Sequence, residues 1–329
     1  FIIDTNQSAT YTHFELGRHD GDTSGVFGRV IALRKQLKEW KNLLAEKEDS
    51  IIHYNMPLDA KAVIRDSIFL SAARQHKVLL HIHGGKFMTG EIPSVFRMII
   101  NTLFKWFPTV VVLGNSEEER LHKMFGISSV VLPNCVDLSS ASSCEKQCNQ
   151  TSPLTIGYIG RITSDKGFGE MVESLAKMRN DGVDFLFRVA GAEDDSSNYL
   201  DELKTALGKQ FEYCGVVGGN TKDEFLKSLD IFLLPSYYEG LPMSLIESMA
   251  FGAVPVVSAV GSIPTLVVND VNGILINPKS VQSITDSLSR LDSNREKLEK
   301  LSASARSSIF STFDPVQYVD CINGLYSRL

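Results

Sequence analysis

The chain has 329 residues, 43% hydrophobic and 22% charged, which is ordinary for a globular protein and long enough for two domains with separate cores. A formal net charge of −6 and a pI near 5.7 argue against nucleic acid as the main partner. No apolar run approaches the ~20 residues that span a bilayer, and the first residues lack the basic start of a signal peptide.

In the first half, short β-branched runs alternate with helical patterns, which is typical of a parallel sheet with crossover helices. The predicted strands are Phe1–Asp4, Ser50–Tyr54, Val78–His81, Thr109–Leu113 and Val130–Leu132, and the predicted helices are Gly25–Lys47 and Asp59–Gln75. A polar, turn-rich stretch, Gln147–Pro153, follows and resembles an interdomain linker.

A second α/β series then begins. Its predicted strands are Leu154–Ile159, Asp184–Ala190, Phe211–Tyr213, Ile231–Leu234, Val254–Ser258 and Gly273–Ile276. Its predicted helices are Phe168–Asn180, Asn198–Leu207, Thr221–Ser228, Pro242–Phe251 and Val281–Asp292. We expect two α/β domains, residues 1–150 and 151–310, and a C-terminal helix in residues 311–329 that packs toward the first domain. Ligands in such folds bind at the carboxyl ends of the strands, here in a cleft between the domains.

The five cysteines do not form a recognisable framework. Cys144 and Cys148 are separated by three residues, but no second Cys or His pair accompanies them to complete a zinc set. Free thiols in a reducing compartment are the simpler interpretation, so we expect a cytoplasmic protein.

The strongest motif is Leu234–Gly252. A buried strand ends at Pro235, a loop carries Glu239 and Gly240, and a helix begins near Pro242. Gly240 lets the backbone pass close to a ligand, and the free N–H groups at the helix start suit a diphosphate. Eight positions separate Glu239 from Glu247, about 12 Å along a helix, which suits the two ends of an extended ligand better than the carboxylate pair of a glycosidase. The alternative is that Glu239 caps the helix and Glu247 lies on a solvated face.

The second motif is Ile156–Phe168, where a buried strand feeds a turn that contains Gly160, Arg161, Lys166 and Gly167. Arg161 can bind a phosphate through two parallel hydrogen bonds, and Lys166 can add a point charge. Cations fixed in advance stabilise the charge that develops on a leaving diphosphate. The alternative is a solvated turn, which the two glycines disfavour.

Both motifs resemble the retaining glycosyltransferases of family 4 (glycosyl transferases group 1), which have the GT-B fold of two facing Rossmann-like α/β domains. The resemblance covers nearly all of residues 154–329. It includes the Gly160–Gly167 turn, the Glu239 to Glu247 spacing, Gly252–Val256 and Asn272–Leu275.

The resemblance implies a set of contacts that runs from one end of a nucleoside diphosphate sugar to the other. The residues that would contact the diphosphate are Gly160, Arg161, Lys166 and the backbone of Gly240 and Leu241. Glu239 would contact the sugar, Glu247 would contact the ribose, and Val216 or Val217 would contact the base. It also implies retention of the anomeric configuration, no required metal and no cofactor beyond the donor substrate.

A further match lies in the first half, in Leu80–Gly85. Many family members carry His-Gly at this strand end, facing the reacting sugar, and alignment to the glycine assigns that role to His83. We expect His81 to point to the other face of the strand. The alternative for His83 is a hydrogen-bonded histidine at a strand end.

Family members open with a strand, a glycine-rich loop and a helix. Here Phe1–Asp4 looks more like the second strand, so we expect the first strand, loop and helix to be missing. The alternative is that Gly21–Gly28 is the opening loop.

Two segments bear on membrane contact. Ser94–Phe107 is aromatic and cationic, so it is either an interfacial helix of an enzyme with a lipid-linked acceptor or a core helix with one snorkelling Lys. The helix from Gly25 carries five basic residues, for which a solvated face is the simpler interpretation. They are Arg29, Arg34, Lys35, Lys38 and Lys41.

The sequence therefore predicts a hexosyltransferase in cell-surface polysaccharide or glycolipid assembly, with His83, Glu239, Arg161 and Lys166 at the reacting centre. The alternatives are a sugar-nucleotide epimerase or phosphorylase on the same fold, and a non-catalytic sugar-nucleotide-binding protein. An epimerase needs no acceptor, and a scaffold has no reason to keep both cations and both carboxylates.

Overall fold

The computed structural model describes residues 6, 9–16, 26–88, 90–143, 152–194, 197–313 and 315–329. The chain divides into two compact units, the first comprising Phe1–Pro133 with Tyr318–Leu329 and the second Asn134–Gln317. The predicted Phe1–Asp4 strand, most of the Gly21–Gly28 loop and the expected domain boundary after residue 150 lie outside the described residues.

Over its described residues the first unit contains a four-stranded parallel sheet in the order β1-β2-β3-β4. Its strands are β1 (Ile51–Met56), β2 (Lys77–Ile82), β3 (Val110–Val112) and β4 (Val130–Val131), and its helices are α1 (Val26–Glu46), α2 (Ala60–Ala72), α3 (Ser94–Trp106) and α4 (Asn115–Phe125). These elements confirm the four predicted strands and two predicted helices that fall on described residues. The core lies between sheet and helices, and includes the fully buried Phe69, Leu80 and Ile100.

Local chemistry fixes where these helices begin and end. Asp59 caps α2, because its Oδ1 accepts a hydrogen bond from the Ala62 N–H at 2.9 Å. Gly126 ends α4 in the left-handed conformation, with φ of 68°, which glycine adopts without strain. Trp40 on α1 donates from Nε1 to the Phe69 carbonyl at 3.0 Å, which ties α1 to α2.

The part of the second unit that the structure describes contains a six-stranded parallel sheet in the order β10-β9-β8-β5-β6-β7. Its strands are β5 (Leu154–Ile159), β6 (Phe185–Ala190), β7 (Phe211–Tyr213), β8 (Ile231–Leu234), β9 (Val254–Ser258) and β10 (Ile274–Ile276). Its helices are α5 (Ser139–Ser142), α6 (Phe168–Asn180), α7 (Tyr199–Leu207), α8 (Gly219–Ser228), α9 (Met243–Ala250), α10 (Ile263–Leu266), α11 (Val281–Ser293) and α12 (Arg295–Thr312). All six predicted strands are confirmed to within one residue.

The strand order of the second sheet reverses between β5 and β8. From β5 the chain proceeds to β6 and β7 on one side, and from β8 it proceeds to β9 and β10 on the other. In parallel sheets the crevice beyond the carboxyl ends of the strands at such a switch point is where ligands bind. The loops that follow Ile159 and Leu234 therefore leave the sheet side by side.

The last helix, α13 (Pro315–Tyr326), ends within the first unit, to which Tyr318–Leu329 belong. Tyr326 Oη lies 2.8 Å from His53 Nδ1, and Asn323 Oδ1 accepts a hydrogen bond from Asn6 Nδ2 at 2.8 Å. Tyr318, Ile322 and Leu325 are buried. This helix thus anchors the end of the chain on the first unit.

Among the described helices, none is both long and apolar enough to cross a membrane. Helix α3 buries Ile100, Leu103 and Phe104 in the core, while Val95 and Met98 are 60% and 65% exposed. One face of Ser94–Phe107 is thus a core face, and another presents aliphatic side chains to solvent.

Candidate functional site

The two sequence motifs meet at the switch point of the second sheet. The Tyr237 N–H donates to the Asp165 carbonyl at 2.9 Å, joining the loop after β8 to the loop after β5. Gly167 has a φ of +77°, and a Cβ there would lie 2.3 Å from the Pro235 carbonyl oxygen. No side chain fits between the loops at this point, so Gly167 is required for their close approach.

An ion pair joins the two motifs. Lys166 Nζ lies 2.7 Å from Glu239 Oε1, and the Ser236 hydroxyl donates to the same oxygen at 2.7 Å. Glu239 is buried, and the Lys166 side chain is only 17% exposed. The residues that the sequence assigned to the diphosphate and to the sugar are therefore in direct contact with each other.

Arg161 stands at the carboxyl end of β5 with its side chain exposed. Its carbonyl accepts a hydrogen bond from the Tyr158 hydroxyl at 2.6 Å, which fixes the backbone beneath the guanidinium. Burial is the main cause of a raised pKa for the Tyr158 hydroxyl, which therefore stays a donor. No ion pair to the Arg161 guanidinium forms within the described part of the chain, which leaves this cation available to an anion.

Gly160 and Gly191 pack backbone to backbone beside Arg161. The Gly160 N–H donates to the Ala190 carbonyl at 3.0 Å. Gly191 has a φ of +137°, and a Cβ there would lie 1.8 Å from the Gly160 oxygen. Gly191 was not among the predicted site residues, since its role depends on the pairing of β5 with β6.

Glu247 lies on α9 and pairs with a residue that the sequence analysis missed. Lys222 Nζ on α8 is 2.8 Å from Glu247 Oε1, with side-chain exposures of 32% and 20%. No other described group hydrogen-bonds to this carboxylate. Helix α9 begins at Met243 after Pro242, and no described side chain caps it; the Leu245 N–H donates to the Pro242 carbonyl at 3.2 Å.

Gly261 is a second residue that the sequence analysis missed. It has a φ of +54°, and a Cβ there would lie 1.8 Å from the Glu239 carbonyl oxygen and 3.3 Å from that of Gly240. The neighbouring Ser262 N–H donates to the Gly240 carbonyl at 3.2 Å. The turn after β9 thus packs directly against the Glu239–Leu241 backbone. Leu241 itself is buried in the core.

The loop assigned to the base follows β7. Val216 is 77% exposed, whereas Val217 is half-buried and packs against the core. The Gly191 N–H donates to the Gly215 carbonyl at 2.8 Å, and the Thr221 hydroxyl bonds both polar backbone groups of Gly218. The loop is held at both ends and presents Val216 to solvent between them.

His83, in the first unit, follows β2 directly and lies in a histidine cluster. Its Nε2 is 3.0 Å from Asn55 Oδ1, and its ring centroid is 4.3 Å from that of His81. The expectation that His81 points to the opposite face is wrong, because side chains two positions apart in an extended segment share a face.

Two further members of this cluster, His53 and Tyr326, were not predicted. His53 Nε2 lies 3.0 Å from His81 Nδ1. Burial, followed by the nearby His83, lowers the pKa of His53 to about 4, and burial lowers the pKa of His81 to about 2 and that of His83 below its usual value. The cluster is therefore neutral at physiological pH.

No group of three or more His, Cys, Asp or Glu side chains within the described ranges is arranged to hold a metal ion.

Comparison with known proteins bears on the family and the fold. The family model for Glycosyl transferases group 1 matches residues 143–308, half of the chain. The chain is 24% identical over 324 residues to UDP-Gal:alpha-D-GlcNAc-diphosphoundecaprenol alpha-1,3-galactosyltransferase of Escherichia coli, across 91% of this chain and 81% of that protein. It is 32% identical over 174 residues to an amylovoran biosynthesis glycosyltransferase of Erwinia amylovora, but this match spans 49% of this chain and only 42% of that protein.

Among solved structures, sucrose-phosphate synthase from Thermosynechococcus elongatus matches with a TM-score of 0.77 at 17% identity, over 94% of this chain and 81% of that one. This match confirms the expected GT-B class, with two Rossmann-like α/β domains. Because the family model covers half of its length, including both motifs, the chain belongs to the glycosyl transferases group 1.

Proposed function

We propose that this protein moves a hexose-type sugar from a nucleoside diphosphate sugar to an acceptor hydroxyl, with retention of the anomeric configuration. The observation that carries the proposal is the contact between Lys166 and Glu239 across two loops at the switch point. One loop supplies cations for a diphosphate and the other a carboxylate for sugar hydroxyls, so a single extended donor would contact both.

The donor lies along the carboxyl ends of β5 and β8. Arg161, Lys166 and the N-terminal end of α9 bind its diphosphate, close to the backbone of Gly160, Gly240 and Leu241. At the other end, Glu247 accepts hydrogen bonds from the ribose, and Val216 or Val217 contacts the base. Glu239 holds the sugar hydroxyls, and His83 is assigned to the same sugar by family resemblance.

In the reaction, the bond between the anomeric carbon and the diphosphate oxygen breaks, and its electron pair remains on that oxygen. Arg161, Lys166 and the start of α9 stabilise the developing negative charge. The acceptor oxygen bonds to the anomeric carbon on the same face, and its proton passes to the departing phosphate oxygen. The protein supplies positive charge itself, so we propose that no metal is required.

The acceptor is proposed to be a lipid-linked glycan or a sugar, in cell-surface polysaccharide or glycolipid assembly. The Escherichia coli relative named above acts, by its name, on a diphosphoundecaprenol-linked sugar with UDP-Gal as donor. A cytoplasmic protein that uses such an acceptor works at a membrane surface. The exposed Val95 and Met98 on α3, flanked by the exposed Arg97 and Lys105, support peripheral contact there.

A thermal-shift screen of UDP, GDP, ADP, CMP and their sugar conjugates tests the donor site, because a bound nucleotide stabilises the folded state by mass action. We expect one base to raise the melting temperature. Turnover is then assayed with and without sugar and lipid-linked acceptors, in EDTA, and NMR identifies the anomer formed. Release of an altered donor without acceptor would indicate a sugar-nucleotide epimerase. Donor binding without turnover would indicate a non-catalytic sugar-nucleotide-binding protein.

A further inference from the structure

The Lys222–Glu247 pair connects two parts of the proposed donor site. The Thr221 hydroxyl hydrogen-bonds to the backbone of Gly218. This contact joins the start of α8 to the end of the loop after β7, which is assigned to the base and is called the base loop below. Lys222 is the residue after Thr221, and from there its ammonium reaches Glu247 on α9 at 2.8 Å. The carboxylate and the base loop are therefore mechanically linked through one turn of α8.

The geometry leaves Glu247 ready to accept further hydrogen bonds. Lys222 occupies one site on Oε1, and no described group bonds to Oε2. A carboxylate has about four lone-pair sites, so a vicinal diol can still donate to both oxygens. Because the side chain is only 20% exposed and held by a cation, fewer of its rotamers must be lost when a ligand binds.

We propose that Lys222 is a positioning residue for donor recognition: it holds the Glu247 carboxylate in the orientation that accepts the ribose hydroxyls. The inference rests on the proposed function, since it takes Glu247 to be the ribose contact. Lys222 acts through Glu247, so its effect must depend on the presence of those hydroxyls.

A ligand pair that differs only in the ribose tests this dependence. Isothermal titration measures the Kd of the nucleoside diphosphate identified in the screen and of its 2′,3′-dideoxy analogue. The proteins compared are the wild type, Lys222→Met, Lys222→Arg and Glu247→Gln. Lys227→Met, which changes an exposed lysine on the same helix, is the matched control.

We expect Lys222→Met to raise the Kd of the ribonucleotide by about two- to tenfold, which is the range for the loss of one hydrogen bond. The Kd of the dideoxy analogue should not change. Lys222→Arg should restore ribonucleotide binding, and Lys227→Met should match the wild type for both ligands. Equal weakening of both ligands, or an unchanged ribonucleotide affinity in Lys222→Met, would overturn the positioning role while leaving the donor site intact. If no nucleoside diphosphate binds the wild type, the proposed function fails and the inference with it.

Discussion

Lys166 and Glu239 are 73 positions apart in the sequence, yet Lys166 Nζ lies 2.7 Å from Glu239 Oε1. With Ser236 on the same oxygen, Oε1 of Glu239 already accepts two hydrogen bonds, whereas no described group bonds to Oε2. A diphosphate that bonds to Lys166 therefore competes with, or adds to, an existing charge-assisted contact. The pair is mostly buried, so loss of either partner leaves the other poorly solvated.

Lys166→Met should weaken nucleoside diphosphate binding by about 10- to 100-fold, because the proposed charge-assisted hydrogen bond to the phosphate is lost. It should also lower the melting temperature, because Glu239 loses its counterion. Titration calorimetry and thermal unfolding measure the two effects. Lys204→Met, which changes an exposed lysine on α7, should alter neither; full affinity in Lys166→Met would refute the phosphate contact.

Gly261→Ala should destabilise the protein by more than the ~1–2 kcal/mol cost of a left-handed residue, because the new Cβ would lie 1.8 Å from the Glu239 carbonyl oxygen. The loop must shift, so transferase activity should fall as well. Gly182→Ala is the control, since Gly182 also has a positive φ, +82°, but a Cβ there would meet no atom of the described residues within 4 Å. Denaturant unfolding of both variants gives the difference, and equal losses would show that the contact with Glu239 is unimportant.

The histidine cluster predicts how stability depends on pH. The pKa of His53 is lowered from 6.5 to about 4, so between these values the unfolded chain binds a proton that the folded protein does not. The free energy of unfolding should therefore fall as the pH drops from 6.5 toward 4, and His81 should extend the loss below pH 4. Urea unfolding across this range measures the slope.

In the same urea-unfolding series, His53→Gln should reduce the slope of the free energy of unfolding against pH. This expectation holds whether or not the substitution changes the stability at neutral pH. His122→Gln, at an exposed position on α4, should keep the wild-type slope. A variant at His53 that retains the full slope would show that this ring does not cause it.

The exposed aliphatic pair on α3 predicts binding to anionic vesicles. Changing Val95 to Asp and Met98 to Glu together should reduce sedimentation with vesicles of phosphatidylcholine and phosphatidylglycerol by at least roughly tenfold, since two apolar side chains no longer enter the interface. Added salt should weaken the binding of the wild type to these vesicles. Val268→Glu, at an exposed valine of the second unit, should bind like the wild type. Equal sedimentation of all three proteins would remove the membrane contact from the proposal.

Much of the fold could be predicted from the sequence because its signals are local. The six strands of the second unit are short apolar runs bounded by turn residues. The loop after β5 carries Gly167, whose positive φ and close approach to Pro235 require a glycine. That the loops after β5 and β8 meet follows from strand order, which parallel α/β folds place at the switch point.

The contacts within the site were harder to predict, because they join residues far apart in the chain. Lys222 and Glu247 lie on different helices, and nothing in either segment signals the pair. Gly261 could have been considered as a site residue because it is a glycine in the turn after β9, the strand that follows α9. Its partner, however, is the carbonyl of Glu239, 22 positions earlier. The orientation of His81, by contrast, followed from the two-residue period of a strand and was misjudged.

The chain crosses between the two compact units twice, once at Asn134 and again near Tyr318. The second unit is continuous in sequence, whereas the first combines Phe1–Pro133 with the twelve residues Tyr318–Leu329. During synthesis the second unit therefore leaves the ribosome whole before residues Tyr318–Leu329 of the first unit do. Until Tyr326 emerges, His53 lacks its hydroxyl partner, so a chain shortened before Tyr318 should keep a folded second unit beside an incomplete first one.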